Sequence, residues 1–471
     1  MNGCLTCVHA RLKSLPDRTQ MAFHRRELLQ AGASSFFGIG LSGLLSLQAC
    51  ATTASRRTPQ VKSVVLVFLT GGGSHIDMFD PKPDSAETKG EFSPIATRTP
   101  GLHFGELMVG MAERSDQLAV VRSMSHGDNR HLSGTHNILT GVEQIFRGDS
   151  NQDKSLSRVD RPCYGGALSY LRPSPGGLPS QVTIPNPLNE GTLIWPAQHA
   201  GFLGPKYDPF QVTGDPNSDK FRVNDLSLVD GISAGRFEGR WQLLNEVAQQ
   251  RRAIEDSTAG QQLNDYQTAA YSMLSSGRLT QAFAMDRETP EIRERYGRNS
   301  RGQTLLLARR LVEAEVPFIQ CNMGIVQSWD THVNHFPRCK SELLPTTDRG
   351  VSALIDDLTD RGRLDETLII VVGEFGRTPT ISPLAGQSVP GRHHWAHGYS
   401  AVFAGGGVRG GQVIGKTDNI GGYPVTTPWH PNDIGATVYS SLGIDPETTI
   451  HDRTGRPNRL NHGRVMDVLY S

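Results

Sequence analysis

Histidine and carboxylate recur together in this chain, and they do so just after apolar runs. "VFLTGGGSHIDMFD" carries His75, Asp77 and Asp80, and "SHGDNRHLSGTH" carries His126, Asp128, Asn129, His131 and His136. "WDTHVNH" carries Asp330, His332 and His335, "GEFGR" carries Glu374 and Arg377, and "GRHHWAH" carries His393, His394 and His397. Nine of the 16 histidines fall in these clusters, and imidazole with carboxylate is the donor set that a divalent transition metal takes. The mixed set favours zinc or manganese, with calcium, which prefers oxygen alone, a weaker candidate. Asp-x-His by itself is ordinary surface composition; the convergence of several clusters is what points to a metal or polar catalytic centre.

Glu374 poses the sharpest question. In "IIVVGEFGRTP" four β-branched residues run into a carboxylate, so a strand buried on both faces delivers Glu374 to its carboxyl end. An unpaired carboxylate there would cost several kcal/mol, on the order of 2–7, so it needs a cation. Two are on offer: a metal shared with Asp330 and His332, or Arg377, which would make "GEFGR" a structural clamp.

The elements that must position these groups alternate. "VKSVVLVFLTGGG" reads as a strand, "FGELMVGMAERSDQLAVVRSM" as helix then strand, and "NRHLSGTHNILTG" opens a helix. "PFIQCNMG", "TLIIVVGEFG" and "YSAVFAGGGV" are further strands, with helices in "ELLPTTDRGVSALIDDLTDRG" and "HPNDIGATVYSSLGID". This predicts an α/β fold with a large, mostly parallel central sheet flanked by helices on both faces, and in such sheets ligands gather at the carboxyl ends of the strands. Residues 59–471 form a single domain in this reading, with a Pro- and Gly-dense, loop-rich insertion at about 172–230 and a helical block at about 231–315.

Residues 1–58 read as an export leader and spacer. Arg25 and Arg26 precede a weakly apolar stretch too short to span a membrane, followed by Ala49, Cys50 and Ala51, which is the pattern of a twin-arginine signal. The expected location is therefore periplasm or cell envelope, with no transmembrane segment in the mature chain. "LSLQAC" resembles a lipoprotein box with Cys50 as the anchor. Cys163, Cys321 and Cys339 remain after cleavage and read as packing residues, with a Cys321–Cys339 bridge as the lesser alternative. Over 471 residues, 47 Lys plus Arg balance 47 Asp plus Glu, so no overall field would hold the protein on nucleic acid.

The ordered set "VFLTGGGSHIDMFDPKP", "RHLSGTHNILTG", "WDTHVNHF", "GEFGRTP", "GRHHW" and "DIGATVYSSLGID" resembles an uncharacterised family of exported twin-arginine bacterial proteins grouped with the alkaline phosphatase and sulfatase superfamily. The resemblance runs from roughly residue 60 to 465. It implies that superfamily's sheet and metal-dependent hydrolysis of phosphate or sulfate esters. By position it makes Asp330 and His332 metal ligands, puts Glu374 where a ligand aspartate follows a late strand, and makes His393 or His394 the last ligand histidine. Thr70 and Phe375 stand where ligands are usual, so one ion is expected rather than two, unless Asp77, Asp80 or His75 substitutes. "HLSGTHNILTG" closes on Thr140 and Gly141 as a sulfatase motif does, but His131 stands at the cysteine position and no formylglycine precursor exists.

His131, or else Ser133 or Thr135, is then the candidate nucleophile, at a helix start that favours an anion. Arg377 would neutralise the substrate, Asp330, His332, Glu374, His394 and Asp77 would supply the metal donors, and His136, His393 and His75 would contact a small-molecule or glycan ester. The alternative is a catalytically degenerate binding or scaffold protein that recognises an anionic glycan or similar ligand.

Overall fold

The computed structural model describes residues 61–144, 157–173, 178–223, 233–252, 271 and 277–471. The leader, Arg25, Arg26 and Cys50 lie outside the described residues. Pro59–Ser471 forms one compact unit.

Eight strands make the central sheet: β1 (Ser63–Phe68), β2 (Leu118–Met124), β3 (Gln181–Ile184), β4 (Phe210–Gln211), β5 (Phe318–Asn322), β6 (Thr367–Val372), β7 (Tyr399–Ala404) and β8 (Gln412–Ile414). Their order is β8-β2-β7-β6-β1-β5-β3-β4. The mixed α/β architecture with a large, mostly parallel sheet is as the sequence predicts. Only β7 runs against its neighbours, β6 and β2. The reason is local: no crossover helix separates β6 from β7, and a parallel return needs one.

Both faces are covered, which explains why the strands read as unbroken apolar runs. Val65, Val67, Ile369 and Val371 face a cluster with Leu305, Leu306, Leu354 and Leu358, from helices α3 (Ser300–Glu313) and α4 (Leu344–Asp360). Val64, Leu66, Phe68, Leu368, Ile370 and Val372 face the other way. They meet α1 (His131–Thr140), α2 (Tyr164–Leu171) and α5 (Pro431–Ser441) through Ile138, Leu168 and Ile434. Each such side chain taken out of water contributes about 1.5–3 kcal/mol. Arg309 on α3 is buried and bridges to Asp357 on α4 at 3.0 Å and to Glu288 at 2.7 Å, tying these helices together.

The stretch 172–230, expected as insertion, contributes β3 and β4 to the sheet, β3 lying parallel to β5. Four residues between proline-rich turns are too few to show a pattern; buried Gln181, which accepts from the Gly165 N–H at 2.8 Å, fixes the strand instead. Cys163, Cys321 and Cys339 are free and buried, so the 321–339 bridge is absent. Among the described residues, no helix is long and apolar enough to cross a membrane.

All ten residues of α1 are buried, His136 among them. Its ring lies inside the fold and does not reach a substrate surface, contrary to the expected binding role, and burial pulls its pKa from 6.5 down to about 4. Folded His136 is neutral, whereas the unfolded chain takes up a proton below pH 6.5, so unfolding binds a proton and acid favours it. Its contribution is present above pH 6.5 and is lost as pH falls toward about 4, a term of about 3 kcal/mol. Thermal melts between pH 7 and pH 5 should show stability falling with acidification, and His136→Phe should flatten that slope; an unchanged slope would remove His136 from the account.

Candidate metal centre

Strands β1, β5 and β6 end level with one another, Phe68 pairing with Val372 on one side and Asn322 on the other. Their carboxyl ends therefore release Gly71, the loop to Asp330, and Glu374 into one place. Gly71 is where they touch. Its φ of +110° suits glycine, and a Cβ there would sit 2.7 Å from the Asp330 nitrogen.

Glu374 is fully buried, and it is not clamped by Arg377. Its Oε1 accepts from His131 Nδ1 at 2.8 Å and its Oε2 from the Gly71 N–H at 3.0 Å. Its carbonyl accepts from His126 Nε2 at 2.7 Å. The carboxylate is thus aimed at an imidazole, and through it at the centre: Glu374 orients a donor and is not one itself.

Asp330 is the junction. His332 Nε2 lies 3.0 Å and His394 Nε2 3.1 Å from its Oδ1, and His131 Nε2 lies 3.2 Å from its Oδ2. Arg377 Nη1 pairs with Oδ1 at 2.5 Å. Burial would raise the Asp330 pKa, but the three imidazole Nε2 atoms, wherever they carry a proton, and the Arg377 charge outweigh it and hold the group far below the carboxylate range.

The outer nitrogens of these imidazoles set their tautomers. His131 Nδ1 faces Glu374, His394 Nδ1–H donates to the Asn129 carbonyl at 2.8 Å, and His332 Nδ1 meets His393 Nδ1 at 2.7 Å. His393 Nε2 in turn shares a hydrogen bond with the Ser382 hydroxyl at 3.0 Å. With an oxygen acceptor at Nδ1 of His131 and of His394, the neutral form of each ring carries its lone pair on Nε2, and both face the Asp330 carboxylate, beside His332 Nε2. Lone pairs and an anion repel unless a cation sits among them. Holding each imidazole through its far nitrogen is how proteins orient metal ligands.

The spacing fits. His131, Asp330 and His394 each offer a ligand atom, all within 4.8 Å of one another, the one such group among the described residues. His332 Nε2, His394 Nε2 and Asp330 Oδ1 form a triangle with edges of 3.0, 3.0 and 3.1 Å. A tetrahedral ion at about 2.0 Å from its ligands has ligand–ligand edges of about 3.3 Å. Without an ion a proton does the same work: burial pulls the His131 pKa down, but its bonds to Asp330 and Glu374 lift it to about 9. Binding a metal would release that proton.

The expected residues divide accordingly. Asp330, His332 and His394 come together as donors, and His131, expected as nucleophile, joins them. Asp77 does not; it is buried against His335 and Arg392, each at 2.8 Å. Arg377 cannot meet a substrate, because it is fully buried and spends its donors on Asp330 and the carbonyls of Gly71 and Gly72. Ser133 is buried in the first turn of α1 with its hydroxyl on Asp128. His75 is buried, donating to the Gly421 carbonyl at 2.8 Å, and does not line the centre. His393 backs His332. The sequence reading missed Trp195, whose buried ring stands 5.5 Å from that of His131; nothing in its loop-rich surroundings marks it. It also missed the Asn129 carbonyl and Ser382, since backbone acceptors and lone hydroxyls leave no pattern.

No curated protein matches the chain. Among solved structures it is similar to a protein in the alkaline phosphatase superfamily from Vibrio parahaemolyticus, at 13% identity, TM-score 0.36, covering 83% of this chain and 68% of that one. It is also similar to a lipoteichoic acid synthase from Listeria monocytogenes, at 11% identity, TM-score 0.38, covering 89% and 78%. A third is alkaline phosphatase from the Antarctic bacterium TAB5, at 11% identity, TM-score 0.36, covering 83% and 100%. A family described as "Protein of unknown function (DUF1501)" matches residues 61–469, nearly all of what the structure describes, and the chain belongs to that family.

Proposed function

We propose that this chain is a metal-dependent hydrolase of phosphate or sulfate esters. The observation that carries the metal is the convergence of the His131, His394 and His332 Nε2 atoms on the Asp330 carboxylate, with Nδ1 of His131 and of His394 each held by an oxygen acceptor. The ester class comes from the resemblance of the ordered motifs to the alkaline phosphatase and sulfatase superfamily. His131, Asp330 and His394 hold one zinc or manganese ion, with His332 at its edge. Such an ion, when bound, polarises an ester oxygen and lowers the pKa of nearby water.

The chain's own residues do the rest. Glu374 and the Asn129 carbonyl keep the His131 and His394 rings turned inward. Arg377 balances the Asp330 charge from behind. The start of α1, which carries no side-chain cap, offers backbone N–H groups beside His131 to an anionic group.

One observation favours a second reading. Arg377 is fully buried with its donors spent inside the fold, so the side chain expected to neutralise the ester is unavailable. That suits a catalytically degenerate protein that binds an anionic glycan or similar ligand.

Metal analysis of the purified protein, with a panel of aryl phosphates and sulfates, tests both. We expect one zinc or manganese per chain and metal-dependent turnover. Asp330→Asn should abolish binding, and Glu374→Gln, which leaves either His131 or Gly71 without an acceptor, should weaken it by about 10–100-fold. Metal without turnover would favour the binding protein, and no metal would end the proposal.

We also propose export by the twin-arginine route, on the strength of Arg25 and Arg26 ahead of the weakly apolar stretch, with Cys50 as a candidate lipid anchor. Replacing both arginines with lysine should leave the precursor in the cytoplasm, as read by fractionation; unchanged export would discard the route.

A further inference from the structure

Behind the donors lies a second charged cluster that no step above uses. Asp77, Arg392, His335 and Thr331 are all buried. Arg392 Nε donates to Asp77 Oδ2 at 2.8 Å, Nη2 to the Thr88 carbonyl at 2.8 Å, and Nη1 to the carbonyls of Thr378, at 3.1 Å, and Pro379. Its own N–H reaches the Thr331 carbonyl at 3.3 Å. His335 Nε2–H donates to Asp77 Oδ2 at 2.8 Å, which leaves its Nδ1 to accept the Thr331 hydroxyl at 2.6 Å.

These bonds end on the donors' own backbone. Thr331 stands between Asp330 and His332, and Arg392 immediately precedes His393 and His394. The two stretches touch with no side chain between them, since a Cβ on Gly391 would collide with the carbonyl oxygens of Thr331 and His332.

We infer that Asp77 is a positioning residue for the metal centre: its carboxylate holds Arg392 and His335, and these fix the two stretches of chain that present Asp330, His332, His393 and His394. The inference rests on the metal reading above. Asp77 stays ionised to do this, because burial, which would raise its pKa, is outweighed by the Arg392 charge and by hydrogen bonds from His335 and Ser74. A donor set must be held to within about 0.5 Å to bind well, and here the tolerance depends on a carboxylate that never meets the ion.

Thr331→Val keeps the side-chain shape and removes only the hydroxyl that His335 accepts. Zinc and manganese affinity, measured by competition with a chromophoric chelator, should fall by about 10–100-fold in Thr331→Val and in Asp77→Asn. Thr331→Ser should restore it, and the melting temperature of metal-free Thr331→Val should stay near that of the parent protein. If both weakened variants bind metal as tightly as the parent, whatever their melting temperatures, the cluster only supports the fold and the inference is overturned. If the parent protein binds neither ion, the metal reading fails and the inference falls with it, an outcome distinct from the first.

Discussion

The charge on Asp330 is the constraint around which the rest is arranged. Four side chains converge on one carboxylate, three of them imidazoles and the fourth the Arg377 guanidinium. Each comes from a different piece of chain or from the far side of a loop, and each has its other polar atoms satisfied elsewhere. A charge so enclosed cannot be left to water, so it fixes where three strand ends must stop and which backbone groups must face inward. Gly71 shows the reach of this: its N–H serves Glu374, its carbonyl serves Arg377, and its missing side chain admits the Asp330 backbone.

Much of this was legible in the sequence. β-branched runs announce strands buried on both faces because such strands have no polar side to show, and His/Asp clusters at their ends follow from where a parallel sheet exposes chain. Asp330, His332 and His394, which the structure brings together, lie in those clusters. What a sequence does not display is direction. Glu374 and Arg377 are three residues apart and look like a pair, yet Arg377 turns back beneath β1 while Glu374 reaches sideways to α1. Asp77 and His75 sit in a promising cluster but are turned into the fold by the short helix they open, His75–Met78. The reversal of β7 was equally hidden, since it depends on the lack of a helix rather than on any residue in the strand.

Buried charge here is organised in two tiers. Asp330, His332 and His394 have modest exposure, whereas Asp77, Arg377 and Arg392 have almost none. Ion pairs at such depth recover their desolvation only when every donor and acceptor is placed, and Arg392 with its several carbonyl partners meets that condition. Stability and site geometry are therefore not separable in this region: the groups that make the loops rigid are those that aim the imidazoles.

The antiparallel return of β7 has an evolutionary consequence. Residues 373–398 leave and re-enter the sheet on adjacent strands, so both feet of this excursion are fixed side by side. The ribbon that pairs Gly376–Arg377 with His394–Trp395 closes it again near its base. The groups of the segment that reach the centre or back it run up to Ser382 on one side and down from Gly391 on the other, while Leu384 and Val389 near the tip stand exposed and Gly386 meets nothing. Closing a longer loop between fixed feet costs only about 0.6 kcal/mol per doubling of its length. The tip can thus gain or lose residues with little effect on the geometry around Asp330, which makes it the part of the segment freest to vary in length.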